Sequence, residues 1–215
     1  MNKKKTIAVA IVLALILLIG GMLAFYTDTD SADNVFTLGK NIDIELTEQW
    51  AEVDGQNILP GAVVQKAPSI TNKANSSEAY VFAKVIVPTY TKDGDQTTKH
   101  EMFTFTANAG WILISERTEA GDTYEYVYAY GADSTLSKLA PGATTTSAVF
   151  SNVELDKTIK SNDTVPTGDD LKIRVEAYGI QTANLTNAQG AAVSAPADVY
   201  ALFGNNYKAN LWKLI

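Results

Sequence analysis

The chain has 215 residues, 46% apolar and 19% charged, the proportions of a folded globular protein of one or at most two domains. Seventeen basic residues against 24 acidic ones give a net charge of −7, which argues against a main role on a nucleic-acid backbone. Cysteine is absent and His100 is the single histidine, so disulfides, thiolate nucleophiles, Cys-based zinc sites and multi-His metal sites within one chain are excluded. No cofactor is expected.

The first 24 residues read as a targeting segment. Lys3, Lys4 and Lys5 precede the apolar run Ile7 to Ile19. Gly20 and Gly21 break that run, and Ala24 before Phe25 offers a small residue for cleavage. This is the order of a secretory signal peptide. The alternative is an uncleaved anchor, because the uncharged stretch continues to Phe25 and roughly 20 apolar residues span a bilayer. Both readings put the rest of the chain outside the cytoplasm, secreted or at the cell surface. Contact with the membrane is expected through this segment only. Cleavage removes three lysines and no acid, so the remainder is more acidic still. A cysteine-free exported domain of this length relies on packing, and it can, since a domain of 150 residues or more buries roughly 70% of its unfolded surface.

Residues 25–215 read as a single β domain with a flexible N-terminal segment, 25–38. Phe25 to Asn34 is polar and acidic. Ile42, Ile44 and Leu46 alternate with Asp43, Glu45 and Thr47, a half-buried strand by its period of two. Leu59-Pro60-Gly61 is a turn, Val63 to Thr71 a second strand, and Asn72 to Glu78 a polar loop. Tyr80 to Val87 is nearly continuously apolar, which predicts a central strand covered on both faces. Lys92 to Asp95 is a turn, and Phe103 with Phe105 marks another strand.

Trp111 to Arg117 and Tyr124 to Tyr130 predict a hairpin across Glu119 to Asp122. Its second arm places Tyr124, Tyr126, Tyr128 and Tyr130 on one face. After Pro141-Gly142 comes a strand from Thr145 to Leu155, then a loop at Pro166 to Asp170. Leu171 to Ala177 alternates as a further strand. One short helix is expected at Ala197 to Phe203, between Pro196 and Gly204. Seven to nine strands without alternating helices predict an all-β fold, an antiparallel β-sandwich.

His100 lies in Lys99-His100-Glu101-Met102-Phe103-Thr104. A zinc-protease helix needs a second histidine at the fourth position after the first, and Thr104 stands there. A Ser-His-Asp triad lacks its G-x-S-x-G elbow. Asp28, Asp30 and Asp33 fail the calcium-loop pattern, which places Gly sixth and Glu twelfth. Calcium at a loop stays open on acid clustering alone, as do paired carboxylates for glycoside hydrolysis. No catalytic or metal-binding residue is assigned. The tyrosine row has two readings: a face packed on the sandwich core, or a stacking face for sugars that would serve a monomeric surface adhesin binding matrix polysaccharide. Leu211 to Ile215 is apolar and fits either a docked segment or an exposed contact surface.

The stretch Gly20-Gly21-Met22-Leu23-Ala24-Phe25-Tyr26-Thr27-Asp28-Thr29-Asp30, with Asn34-Val35-Phe36-Thr37-Leu38-Gly39 stepping into Lys40 to Leu46, resembles the TasA/camelysin family. Leu59-Pro60-Gly61, Tyr80 to Val85, Leu139-Ala140-Pro141-Gly142 and Glu176 to Gln181 extend the resemblance in order along the chain. These are secreted proteins of Gram-positive bacteria whose signal peptides are handled by the SipW signal peptidase. The resemblance implies a jelly-roll-like sandwich, a signal peptidase as partner during export, and a role as a biofilm matrix fibre subunit. It also carries a metallopeptidase label, which Thr104 does not support.

A sandwich has edge strands with unpaired backbone groups. A freed N-terminal segment can add as a strand to the next molecule's edge, and a head-to-tail contact that does not close gives filaments. Phe25, Tyr26, Val35, Phe36 and Leu38 are the expected inserted side chains. The alternative is that Val35 to Leu46 continues as an intramolecular first strand.

Overall fold

The computed structural model describes residues 42–49 and 57–205. Those residues lie in the compact unit that begins at Ile42. Ala24, Phe25, Tyr26, Val35, Phe36, Leu38 and the stretch Leu211 to Ile215 lie outside them.

Among the described residues, eleven strands and one α-helix follow in order. They are β1 (Ile44–Gln49), β2 (Val63–Gln65), β3 (Ala67–Asn72), β4 (Ala79–Lys92), β5 (Asp95–Glu101) and β6 (Phe103–Ala107). Then come β7 (Trp111–Ala120), β8 (Thr123–Ala132), β9 (Thr135–Leu136), β10 (Phe150–Leu155), β11 (Arg174–Gln181) and α1 (Pro196–Asn205). The larger sheet runs β11-β4-β8-β7, with β5 on the far end of β4 and β9 on β8. Facing it are the pair β1-β3 and the sheet β2-β10-β6. All strand pairings are antiparallel. The result is a jelly-roll-like antiparallel β-sandwich with one short C-terminal helix.

The alternation of side chains along the strands builds two cores. Val81, Ala83, Val85 and Val87 of β4 pack between the sheets with Ile44, Ile70, Phe150, Val153, Val175 and Ala177. Phe82 points the opposite way, into a smaller cluster with Ala129, Tyr178, Ile180, Val199 and Leu202. The helix α1 supplies Val199 and Leu202 and so covers the outer face of the larger sheet. The expectation that Tyr80 to Val87 is central and covered on both faces is met, and β4 extends it through Pro88 to Lys92.

Several boundaries differ from the sequence reading, and one strand was not expected at all. The strand expected over Val63 to Thr71 breaks at Lys66 into β2 and β3. The strand expected from Thr145 begins only at Phe150. Before it, Thr145 N and Val149 N reach across to Ile70 O and Pro68 O at 2.9 and 2.8 Å, in an irregular run beside β3. The strand expected over Leu171 to Ala177 starts at Arg174 and continues through Gly179 to Gln181, because β4 offers it an unbroken partner. β5 had no sequence signal, since Asp95 to Glu101 contains no large apolar residue.

Candidate functional site

The tyrosine row forms as expected on one face of β8, and that face is turned into the fold. Tyr124, Tyr128 and Tyr130 are 6, 8 and 7% exposed. Phe105 of β6 meets the rings of Tyr126 and Tyr128 edge-on, with centroids 5.6 and 6.1 Å away. Trp111 packs on Tyr130 at 5.5 Å. The hydroxyls find partners at the rim, as buried tyrosines do. Tyr130 OH accepts from Thr146 N at 3.2 Å, and Tyr124 OH donates to Lys99 O at 3.1 Å. Tyr126 OH donates to Glu101 Oε1. Burial first, and then this carboxylate, push the Tyr126 phenol far above its ordinary range.

The strand β5 closes over this end of the row. Lys99 Nζ reaches Glu119 Oε1 of β7 at 3.0 Å and Asp122 Oδ1 in the β7–β8 turn at 3.3 Å. Arg117 lies 4.2 Å over the Tyr124 ring and 3.7 Å from Glu101 Oε1. The aromatic face is thus roofed by a polar strand, and three of its four rings are buried.

His100 belongs to the same strand. Its ring lies 5.4 Å from that of Tyr90, and its register partner across β4 is Tyr90. Thr104 sits on β6, beyond the break at Met102, opposite Glu154. The stretch is two strands and not a helix, so the spacing that brings two ligands onto one helical face has no meaning here. Among the described residues no three His, Cys, Asp or Glu side chains gather as a metal-holding group. These residues do not fit the metal of a metallo-endopeptidase.

A charged cluster lies on the outer face of the larger sheet, and the sequence reading missed it. Lys84 Nζ stands 3.1 Å from Glu176 Oε2 and 3.5 Å from Glu125 Oε1. Tyr178 OH donates to Glu176 Oε2 at 2.6 Å. Burial draws the Lys84 pKa down, but the Glu176 bond and the charges of Glu176 and Glu125 outweigh it and hold it above the ordinary value. Tyr178, Tyr200 and Phe203 then stack at 5.4 to 5.6 Å and seat α1 on Phe82. Period-two alternation puts Lys84, Glu125 and Glu176 on one face; register, invisible in sequence, brings them side by side.

The strand edges differ in how they are protected. β7 pairs only with β8 among the described residues, and its register shifts twice, between Leu113 and Ser115 and between Ser115 and Thr118. Such irregularities and the exposed charges Glu116, Arg117 and Glu119 blunt an edge. β1 also has one partner among the described residues, β3, but its six residues pair in unbroken register from Ile44↔Asn72 to Gln49↔Ala67. Its inward side chains are Ile44, Leu46 and Glu48, and Glu45, Thr47 and Gln49 face out. Among the described residues β1 is therefore a regularly paired edge strand.

The described residues define a β-sandwich protein with a packed aromatic interior and, among them, no metal-holding group. Residues 1–176 match the family model described as camelysin metallo-endopeptidase, and the chain belongs to this family. No curated protein matches the chain. Among solved structures it is similar to the carbohydrate-binding module CBM3b of the cellulosomal cellobiohydrolase 9A from Clostridium thermocellum, at 11% identity and a TM-score of 0.34, over 71% of this chain and 98% of that one. A point mutant of that module matches at 12% identity with the same TM-score, over 71% and 97%. A CBM3 of Hungateiclostridium clariflavum matches at 16% identity and a TM-score of 0.33, over 72% and 98%. Similarity this low says nothing of what this chain binds.

Proposed function

We propose that the chain is a secreted, non-enzymatic structural protein that associates head to tail into extracellular matrix fibres. The observation that carries this reading is the regular six-residue pairing of β1 with β3, and the family match over residues 1–176, which takes in the N-terminal segment, supports it. An incoming strand can pair along that edge through its backbone groups, as in strand addition generally. The incoming strand is the N-terminal segment freed by cleavage between Ala24 and Phe25, with Phe25, Tyr26, Val35, Phe36 and Leu38 as its apolar side chains. Such a contact is heterologous and open, so it propagates. The uncleaved signal segment blocks the free end, which ties assembly to export.

The family's enzymatic description receives no support from His100, whose ring packs on Tyr90. Tyr124, Tyr128 and Tyr130 are buried, which supports reading the tyrosine row as a packed face over reading it as a stacking face for sugars.

Electron microscopy of the purified chain beginning at Phe25, beside one beginning near Lys40, tests the proposal. Filaments from the first and monomers from the second are expected. Folded monomers from both overturn self-assembly by strand donation. Filaments from both overturn the role of the N-terminal segment.

A further inference from the structure

Lys66 is a buried lysine at the break between β2 and β3. It follows the alternation of Val64, Lys66, Pro68, Ile70 and Asn72, all buried, and its side chain is 9% exposed. Its Nζ lies 2.6 Å from Glu48 Oε1, whose side chain is 21% exposed on the inward face of β1. Burying two charges is costly, and an ion pair in such a place is weak evidence for stability. Its better-attested use is to select one alignment over others.

The alternatives are limited. In the observed register Leu46 opposes Ile70, Thr47 opposes Ser69 and Glu48 opposes Pro68. A slip of one residue turns Ile44 and Leu46 out of the core and is forbidden by the hydrophobic pattern. A slip of two keeps that pattern. In one direction it draws Asp43 away from Ser76 Oγ, which accepts from Asp43 N at 3.0 Å, and from Lys73, 3.5 Å from the Asp43 carboxylate. In the other direction it brings Glu48 opposite Ile70, which is 0% exposed, and Thr47 opposite Thr71. The alternation of inward and outward side chains tolerates that second slip, although it sets Leu46 opposite Asn72. The charge does not, because it moves a carboxylate from beside Lys66 into the apolar core.

We propose that the Glu48–Lys66 pair fixes the register of the edge strand β1 against a two-residue slip toward Ile70. Both residues are positioning residues. The consequence for fibres rests on the assembly reading above: a second copy's strand copies the register of the edge it joins, so a β1 of mixed register yields subunits joined at mixed offsets.

The cysteine-free chain makes the test clean. Two reporter pairs are introduced separately, Thr47→Cys with Ser69→Cys for the observed register and Thr47→Cys with Thr71→Cys for the slipped one. Each is oxidised as a monomer and mapped by mass spectrometry, in the parent chain and with Glu48→Met plus Lys66→Met. In the parent only the first pair closes. In the double apolar variant, with a sandwich spectrum retained by circular dichroism, the second pair rises from background to the level of the first. A second pair that stays open in that folded variant overturns the proposal. If the variant unfolds, Glu48→Gln, which keeps the shape and removes the charge, is read in the same way, and an open second pair there overturns it equally. Because the readout is taken on monomers, a register that moves while no fibre forms separates failure of the assembly reading from failure of this one.

Discussion

Gly179 on β11 and Ile44 on β1 meet so closely that a Cβ on the glycine would stand 3.1 Å from the isoleucine Cγ2. The neighbouring Ile42 is nearer still, with its Cγ2 at 2.8 Å from that position. A glycine inside a strand weakens it, and its use here is the approach of another strand's side chains. The contact joins the edge strands of the two facing layers. Gly179→Ala is expected to lower stability by about 1–3 kcal/mol, the usual cost of overpacking. Adding Ile42→Ala should return part of the loss. Urea denaturation of the three variants measures both, and an unchanged midpoint for Gly179→Ala removes the steric argument.

Tyr128 is buried between the sheets, with Phe105 against its ring. Tyr128→Ala is expected to cost about 3–5 kcal/mol, as truncation of a buried aromatic does. A variant that keeps its melting temperature and loses binding to a polysaccharide instead would return the tyrosine row to the role of a binding face.

Tyr90 OH donates to Asp156 Oδ2 at 2.8 Å, and Thr158 N donates to Asp156 Oδ1 at 2.8 Å. Burial raises the Asp156 pKa, but the hydrogen bonds from Thr158 and Tyr90 prevail and hold it below its ordinary value of 3.8. A carboxylate depressed in the folded state contributes stability that is fully present above its unfolded pKa. That contribution is lost as pH falls below about 4 through the folded value. Asp156→Asn should therefore lower the melting temperature at pH 7 and flatten its decline in acid. Parallel melting curves from pH 7 to pH 2 decide this, and an identical acid limb in parent and variant speaks against it.

Lys84 holds two carboxylates on the outer face, Glu125 and Glu176. Lys84→Met leaves both acids together beside the aromatic seat of α1. A loss of about 1–3 kcal/mol is expected from the uncompensated partners. Adding Glu176→Gln to Lys84→Met should recover part of it. Chemical denaturation of single and double variants gives the coupling, and strict additivity would mean the pair is a passive surface contact.

What the sequence disclosed follows from how local its signals are. A nearly continuous apolar run marked β4, and the hairpin of β7 and β8 was plain from two arms around Gly121. β5 left no trace, because Asp95 to Glu101 is polar and becomes a strand through tertiary contacts to Tyr90, Tyr124 and Tyr126. The strand expected to end at Ala177 runs on through Gly179, above which Ile42 and Ile44 fill the space. The tyrosines' shared face was legible from their spacing. Which way it turned was not, because tyrosine suits an interior and a wet surface equally well. Lys66 lay unremarked within an expected strand, and only the folded chain shows that it meets Glu48.

The place of β4 between β8 and β11 also bears on the timing of folding. β8 follows β4 after three intervening strands, whereas β11 comes only after all of β5 through β10 have been made. The middle strand of the larger sheet must wait, with one side unpaired, until almost the whole chain is available. Long loop closures of this kind make folding slow and leave strand edges open to other chains meanwhile. A chain threaded out from its N-terminus thus passes through a state in which β4 is itself an edge, and the arrival of β11 ends that state.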